Sequence, residues 1–278
     1  MEEYVMIKKV ILITGASSGI GKETAKKLLS EGHIVYAAAR RLDQMQDLQE
    51  VGAIIVQLDI SKEEDIKACM DKIISEQGRI DVLFNNAGFG LYGSVEEVSL
   101  DDARYQFEVN LFGLARMTQL VVPYMREQRN GKIINTSSVG GKIYTPLGAW
   151  YHASKHALEG WSDCLRLELH PFGIDVIILE PGIIETSFGN VMSDPMMRNS
   201  GNGPYRELAK KIANTTRKSY QPGGGSPADL VANIVAKSIA TNNPKVRYAV
   251  GKLAKPLIML RKWISDRNFD RLIMSQMK

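Results

Sequence analysis

Six short aliphatic and β-branched runs punctuate the first 180 positions: 10–13, 34–37, 53–56, 80–84, 132–135 and 174–179. Near-continuous apolar runs of about four to six residues mark strands buried on both faces. Helix signals lie between them, at 20–30, 62–76 behind a Ser61 cap with Glu64 three places on, 100–129 and 150–170. Strand alternating with helix predicts a parallel sheet covered on both sides, in a three-layer α/β/α arrangement. At 278 residues the chain is within reach of one α/β domain, which runs to roughly 250 residues. We therefore expect one domain over 1–278. An irregular lid insertion is expected at about 187–225, rich in Gly, Ser, Asn, Pro and Met, with one short helical piece at 205–214. A helix at 227–240, a last strand near 246–250 and a basic helical tail at 252–278 complete the pattern.

The first strand runs straight into Thr14-Gly15-Ala16-Ser17-Ser18-Gly19-Ile20-Gly21. Glycines at a strand-to-helix turn let the backbone approach a pyrophosphate, and the helix N-terminus behind them offers free N–H groups. The spacing is G-x-x-x-G-x-G, and the bland alternative is a turn that binds nothing. The loop sits where a doubly wound, Rossmann-type sheet places its dinucleotide site. The second strand ends in Ala39-Arg40-Arg41. An acid at that strand end holds a ribose 2′-OH, whereas arginine accommodates a 2′-phosphate. The pair therefore favours NADP(H) with NAD(H) possible, unless both arginines are simply solvated.

Tyr151 and Lys155 share one face at the start of a helix, about 6 Å apart along its axis. A neighbouring ammonium lowers a phenol pKa, which makes Tyr151 a candidate acid/base. The spacing alone is weak, because Tyr4/Lys8 and Tyr248/Lys252 repeat it. Ser138 distinguishes Tyr151, lying just past the fifth strand-like run, where an open sheet puts its ligand.

Taken in order, the glycine loop, Asn85-Asn86-Ala87-Gly88, Asn110, Ser138, Tyr151-x-x-x-Lys155 and Pro181-Gly182-x-x-x-Thr186 resemble the short-chain dehydrogenase/reductase family from about residue 9 to 186. The resemblance implies that Tyr151 is the acid/base and that Lys155 contacts the nicotinamide ribose. It implies that Ser138 holds the substrate carbonyl, with Ser137 its rival, and that Asn110 anchors a water chain to Lys155. On the cofactor it places Gly15, Ser17, Ser18, Gly19, Ile20, Gly21, Arg40 and Arg41. It adds Asp59, Ile60, Asn86, Ala87 and Gly88 near the adenosine, and Pro181, Gly182, Ile184 and Thr186 near the carboxamide. Asp59 as a plain turn cap and Asn-Asn-Ala-Gly as a plain turn are the competing readings. Ser138-Val139-Gly140-Gly141, Ala157-Leu158-Glu159-Gly160 and His170-Pro171-Phe172-Gly173-Ile174 look like the hydroxysteroid and retinol dehydrogenase branch. The implied activity is hydride transfer between nicotinamide and a carbonyl or secondary alcohol of a hydrophobic small molecule such as a steroid or retinoid. A 3-oxoacyl-thioester reductase and a non-catalytic NADP(H) sensor are the alternatives. A glycine-loop methyltransferase would leave Ser138, Tyr151 and Lys155 unexplained.

Charge and cysteines set the remaining expectations. The chain carries 35 Lys/Arg against 31 Asp/Glu, a net +4 too small for a phosphate-neutralising nucleic-acid binder. Seven Lys/Arg and two Asp lie at 252–278, so the body sums to −1 and the tail to +5. That tail is expected to dock on the sheet or a partner subunit, with peripheral membrane contact as the alternative. Together with the insertion's Phe188, Val191, Met192, Met196 and Met197, the tail is expected to cover the substrate. Cys69 and Cys164 offer no metal-ligand spacing and suggest reduced thiols in the cytoplasm. The acidic start, MEEYVMIKK, is unlike a signal peptide. A homodimer or homotetramer pairing through 100–129 and 150–170 is implied by the resemblance.

Overall fold

A computed structural model describes residues 8–276, so Tyr4 and Met277 lie outside the described residues. Seven strands form one parallel sheet: β1 Val10–Thr14, β2 Ile34–Ala39, β3 Ile54–Gln57, β4 Val82–Asn85, β5 Gly131–Thr136, β6 Ile174–Pro181 and β7 Arg247–Val250. Their spatial order is β3-β2-β1-β4-β5-β6-β7. The order reverses direction between β1 and β4, which opens a crevice at the carboxyl ends of those strands.

The period-2 alternation of each strand feeds two cores. Ile11 and Ile13 of β1 face the layer of α1 (Gly19–Ser30), α2 (Gln46–Glu50) and α9 (Ala228–Ala240), meeting Leu28, Leu48 and Val235. Val10 and Leu12 face the opposite layer of α3 (Glu63–Gln77) and α5 (Gly113–Gln128), meeting Ile73, Met117 and Val121. Lys132 points out of β5 into the C-terminal end of α9, donating to the carbonyls of Ser238 and Ile239, 2.9 Å each, and of Thr241. A cation there answers both the unpaired carbonyls and the negative end of the helix dipole.

Several expectations are corrected. The 100–129 segment is helical but not uniform: α4 (Leu100–Phe107) and α5 are joined by a π turn, Glu108–Phe112, that places one extra residue in the helix at Asn110. Ser61 does not cap α3, whose N-cap is Lys62; its hydroxyl donates to Asp59 instead, 2.7 Å. The helical stretch at 42–50 between β2 and β3 is too short to show a 3.6-residue period and was not anticipated.

The largest correction concerns 187–225. It is no irregular lid but a helical pair, α7 (Phe188–Ser200) and α8 (Arg206–Tyr220), packed on each other. Met192 and Met196 sit in the seam with Ala209, Ile212 and Ala213. Glycine and proline at α7 positions 189 and 195 hid the helix from a propensity reading, because tertiary packing overrides them. The tail forms two helices, α10 (Ala254–Trp263) and α11 (Asp266–Ser275), that dock on the body through Ala254 and Phe269 against Val139 and Ile143.

Candidate active site

The crevice continues into a cleft of about 790 Å³ whose walls come from almost every strand end. At one end the glycine loop is stripped of side chains for a physical reason. Gly15 has φ +68° and a Cβ there would lie 2.8 Å from Ala87 Cα. Gly19 has φ +54°, and a Cβ at Gly21 would meet the Gly15 carbonyl at 2.5 Å. Asn86 donates from Nδ2 to the carbonyls of Thr14 and Gly15, 3.2 Å each, while Thr14 Oγ1 accepts from the backbone N–H groups of Asn86 and Ala87 at 3.0 Å. The Asn-Asn-Ala-Gly segment is therefore the strut of the glycine loop as well as part of the cleft wall. Ser18 at the N-cap of α1 makes no side-chain cap bond, so the first N–H groups of α1 stay open for an anion. This cradle fits a dinucleotide pyrophosphate.

Gly15, Ser17, Ser18, Gly19, Ile20, Arg40, Arg41, Asp59, Ile60, Asn86, Ala87, Gly88, Ser138, Tyr151, Lys155, Pro181, Gly182, Ile184 and Thr186 all line the cleft. Gly21 and Asn110 do not. Gly21 is a packing glycine behind the loop. Asn110 lies one layer deeper, its Oδ1 accepting from Phe89 N–H at 3.1 Å while Nδ2 donates to the Phe89 carbonyl and Ser154 Oγ, also at 3.1 Å. Asp59 does act as a turn cap, accepting from Ser61 N–H at 3.1 Å, and lines the cleft besides. Arg40 reaches over the cleft to the Tyr105 hydroxyl, 3.4 Å. Ser137, the rival of Ser138, lines the cleft too but its side chain is buried without a partner.

At the other end the site is dry and aromatic. Tyr151, on α6 (Ala149–Leu169), lies 5.7 Å from the Tyr92 ring and 6.1 Å from Phe188, which lies 6.1 Å from Tyr220. Burial pushes the Tyr151 hydroxyl up to about 12, with Ser138 beside it pulling the other way. Burial also lowers Lys155 to about 8, against the opposing field of Glu159. Lys155 Nζ donates to the Thr136 carbonyl at 2.8 Å. The expected lowering of the tyrosine by the lysine is not seen: desolvation dominates both groups, and Ser138 alone pulls Tyr151 down. Leu91, Tyr105 and Tyr220 also line the cleft, and no sequence signal marked them. Phe188 and Val191 do reach it as expected, whereas Met192, Met196, Met197 and the tail residues do not.

A family model described as short chain dehydrogenase matches residues 9–196. The chain belongs to the short-chain dehydrogenase/reductase family. It is 39% identical over 264 residues to a 3-ketodihydrosphingosine reductase of Bacteroides thetaiotaomicron, covering 94% of this chain and 95% of that one. Among solved structures it resembles a Burkholderia phymatum family member in complex with NAD, at TM-score 0.79 and 25% identity over 95% of both chains. It also resembles the actinorhodin polyketide ketoreductase with NADPH, at TM-score 0.72 and 31% identity over 86% of this chain and 94% of that one. The protein is an oxidoreductase acting on CH–OH groups with a nicotinamide cofactor; the hydroxysteroid and retinol branch was a resemblance only.

Proposed function

We propose that the whole chain is one catalytic domain that prefers NADP(H) and interconverts a carbonyl and a secondary alcohol on a lipophilic substrate. The observation that carries this reading is the polarity of the cleft: two arginines at the adenosine end, and a buried tyrosine among aromatic rings at the other. Arg40 and Arg41 follow the small Ala39, so a 2′-phosphate meets cation and no carboxylate at that strand end. The apolar wall of Leu91, Phe188, Val191 and Tyr220 suits a long-chain or ring-system ketone, a class that includes the substrate named for the Bacteroides relative.

When bound, the nicotinamide supplies or takes the hydride. Tyr151 holds the proton that the carbonyl oxygen gains, and its high affinity for that proton makes it an acid that stays loaded at neutral pH. Ser138 accepts from Gly140 N–H at 2.9 Å, which leaves its own hydroxyl proton free for the substrate oxygen. Lys155, tethered to β5 through the Thr136 carbonyl and lining the same cleft as Tyr151, would hold the nicotinamide ribose. Asn110 fixes the Phe89 backbone and so the floor beneath Gly88. Thr186, beside Gly19 across the cleft, would hold the carboxamide. The aromatic cover keeps water from the proton in transfer.

Leu100, Phe112 and Leu167, all exposed on the outer face of α4 to α6, support a homodimer or homotetramer through that face. Two unpaired thiols, Cys69 buried and Cys164 exposed, accord with a cytoplasmic setting. No helix among the described residues is long and apolar enough to cross a membrane.

The test is consumption of NADPH against a panel of long-chain 3-keto amines, β-ketoacyl thioesters, ketosteroids, retinal and sugars. Turnover of lipophilic carbonyls with NADPH well above NADH is expected. Turnover of sugars alone, or equal use of both cofactors, overturns the reading.

A further inference from the structure

His152 follows Tyr151 on α6 and is buried, yet it touches neither the cleft nor any carboxylate. Its two ring nitrogens are both engaged, and by partners that fix its chemical state. Nε2 lies 3.1 Å from the backbone N–H of Thr145, which can only donate, so Nε2 must accept. The ring proton therefore sits on Nδ1, which donates to the Gly140 carbonyl at 2.9 Å. The Thr145 hydroxyl lies 2.9 Å from the same Nε2. Burial holds the ring neutral, lowering it to about 4, and the titratable groups around it are His156 and Tyr151 on its own helix and Tyr92 from the loop after β4.

What the imidazole clamps is the segment between Ser138 and α6. That segment has reasons to be loose. It opens with the short turn Val139–Gly141, and Leu147 holds a left-handed φ of +62°, which strains a residue with a Cβ. Gly140 is cut down to fit the ring, since a Cβ there would lie 3.0 Å from both His152 Nδ1 and Tyr151 Cε1. Gly148 packs on the ring's other edge, where a Cβ would lie 2.8 Å from Cδ2. A glycine wraps this closely only by giving up side-chain restraint, and its backbone is the most mobile of any residue. Yet Gly140 N–H is the donor that occupies a lone pair of Ser138 Oγ, so the serine proton has to be given elsewhere.

We propose that His152 is a positioning residue for the reaction: by pinning the Gly140 carbonyl and the Thr145 amide to the first turn of α6, it aims Gly140 N–H at Ser138 and holds Ser138 in register with Tyr151. The path is continuous, from the imidazole to the Gly140 carbonyl, through the Gly140 backbone to its N–H, and on to the Ser138 hydroxyl. The inference rests on the proposed roles of Ser138 and Tyr151.

A double-mutant cycle tests it. His152→Leu in the full-length protein is expected to lower kcat about 10- to 100-fold, the cost of leaving the two backbone groups unpaired and Ser138 misaimed, with NADPH affinity within about 2-fold. In the Ser138→Ala background the same change is expected to move kcat by less than about 2-fold, because the residue it acts through is gone. His152→Gln, whose amide offers a donor and an acceptor, recovers part of the loss and serves where the leucine variant does not fold. An equal loss in both backgrounds overturns the proposal, as does a loss that appears only in NADPH affinity. Nitrogen-15 NMR of the wild-type imidazole reads the tautomer without turnover, and an Nε2–H ring overturns the clamp directly. A wild-type protein that reduces no carbonyl counts against the proposed reaction, and the tautomer then decides the clamp alone.

Discussion

The two ends of the cleft are built on opposite principles. The nucleotide end is mostly backbone: Gly15, Gly19 and Gly21 are shaped by what cannot fit there, and Asn86 and Thr14 brace the loop. The catalytic end is side chain and dry, with Tyr151 and Lys155 both held away from their solution protonation equilibria by burial. A site made of backbone geometry announces itself through the spacing of residue types. A site whose properties come from desolvation does not, since burial is a property of everything packed around it.

The strongest way to break this contrast is Tyr151→Phe, which keeps the ring and its packing. Turnover should fall about 10²- to 10⁴-fold, the usual worth of a positioned proton donor, while NADPH titration by fluorescence stays unchanged. A parallel loss of NADPH affinity would show that the two ends are not separable. Tyr248→Phe, which shares the Y-x-x-x-K spacing but lies outside the cleft lining, should keep turnover near wild type.

Next in size is Arg40→Asp. One charge-assisted bond to a 2′-phosphate is worth about 1.5–3 kcal/mol, so NADPH affinity should drop roughly 10- to 150-fold and NADH should hold or gain. Equal effects on both cofactors would make Arg40 a surface residue braced on Tyr105.

The dry end is sharpened by Lys155→Met. In the folded protein Lys155 loses its proton near pH 8, well below the ordinary lysine value of 10.5. Between about pH 8 and 10 Lys155 thus keeps a proton in the unfolded chain that it has lost in the folded one, and its contribution to stability rises with pH across that window. Cys69 and the buried tyrosines, whose protons are held more tightly in the folded state, pull the other way in both proteins, so wild type should gain about 2 kcal/mol over Lys155→Met from pH 8 to 10 in urea melts of the cofactor-free proteins. Above the ordinary lysine value of 10.5 the Lys155 contribution levels off, because the unfolded lysine has lost its proton as well. A wild type and variant that track each other from pH 8 to 10 would show that Lys155 is well solvated.

The smallest effect belongs to the tail. Trp263 is 84% exposed on α10, and no residue of α10 or α11 lines the cleft. Trp263→Ala should leave kcat/KM for lipophilic carbonyls within about 2-fold, as surface substitutions do. It should leave the protein unbound to anionic vesicles in co-sedimentation at low salt. A raised KM would return the tail to the substrate, and sedimentation of wild type but not variant would give it a membrane.

These contrasts also explain which parts of the molecule could be read from sequence. The sheet was legible because β1, β2 and β4 to β6 are buried on both faces and carry their apolar runs openly. Of the expected cleft residues, Gly15, Ser17 to Ile20 and those at the strand ends line the cleft. Gly21 and Asn110 support the site from behind instead, a distinction that spacing cannot make. The pair α7 and α8 was missed because its stability lies in a seam between the two helices, where Met192 and Met196 meet Ala209 and Ala213. Each helix alone carries breakers or a strongly polar face. The direction of the Tyr151 shift was misjudged from spacing alone, because Tyr92, Phe188 and Tyr220 converge on it from distant parts of the chain.

The π turn at Glu108–Phe112 turns Asn110 into a matter of counting. An ordinary α-helix advances by about 100° per residue, so the same residues wound as one regular helix, without the wide turn, would rotate all of α4 by that angle relative to α5. Leu100 and Phe112 would no longer share an outer face, and Gln106, which donates to the Phe89 carbonyl at 2.8 Å, would swing away from the floor of the cleft. The wide turn thus absorbs a surplus residue and keeps α4 in phase with α5, so a deletion here closes the helix without turning α4, whereas the same length wound regularly would turn it.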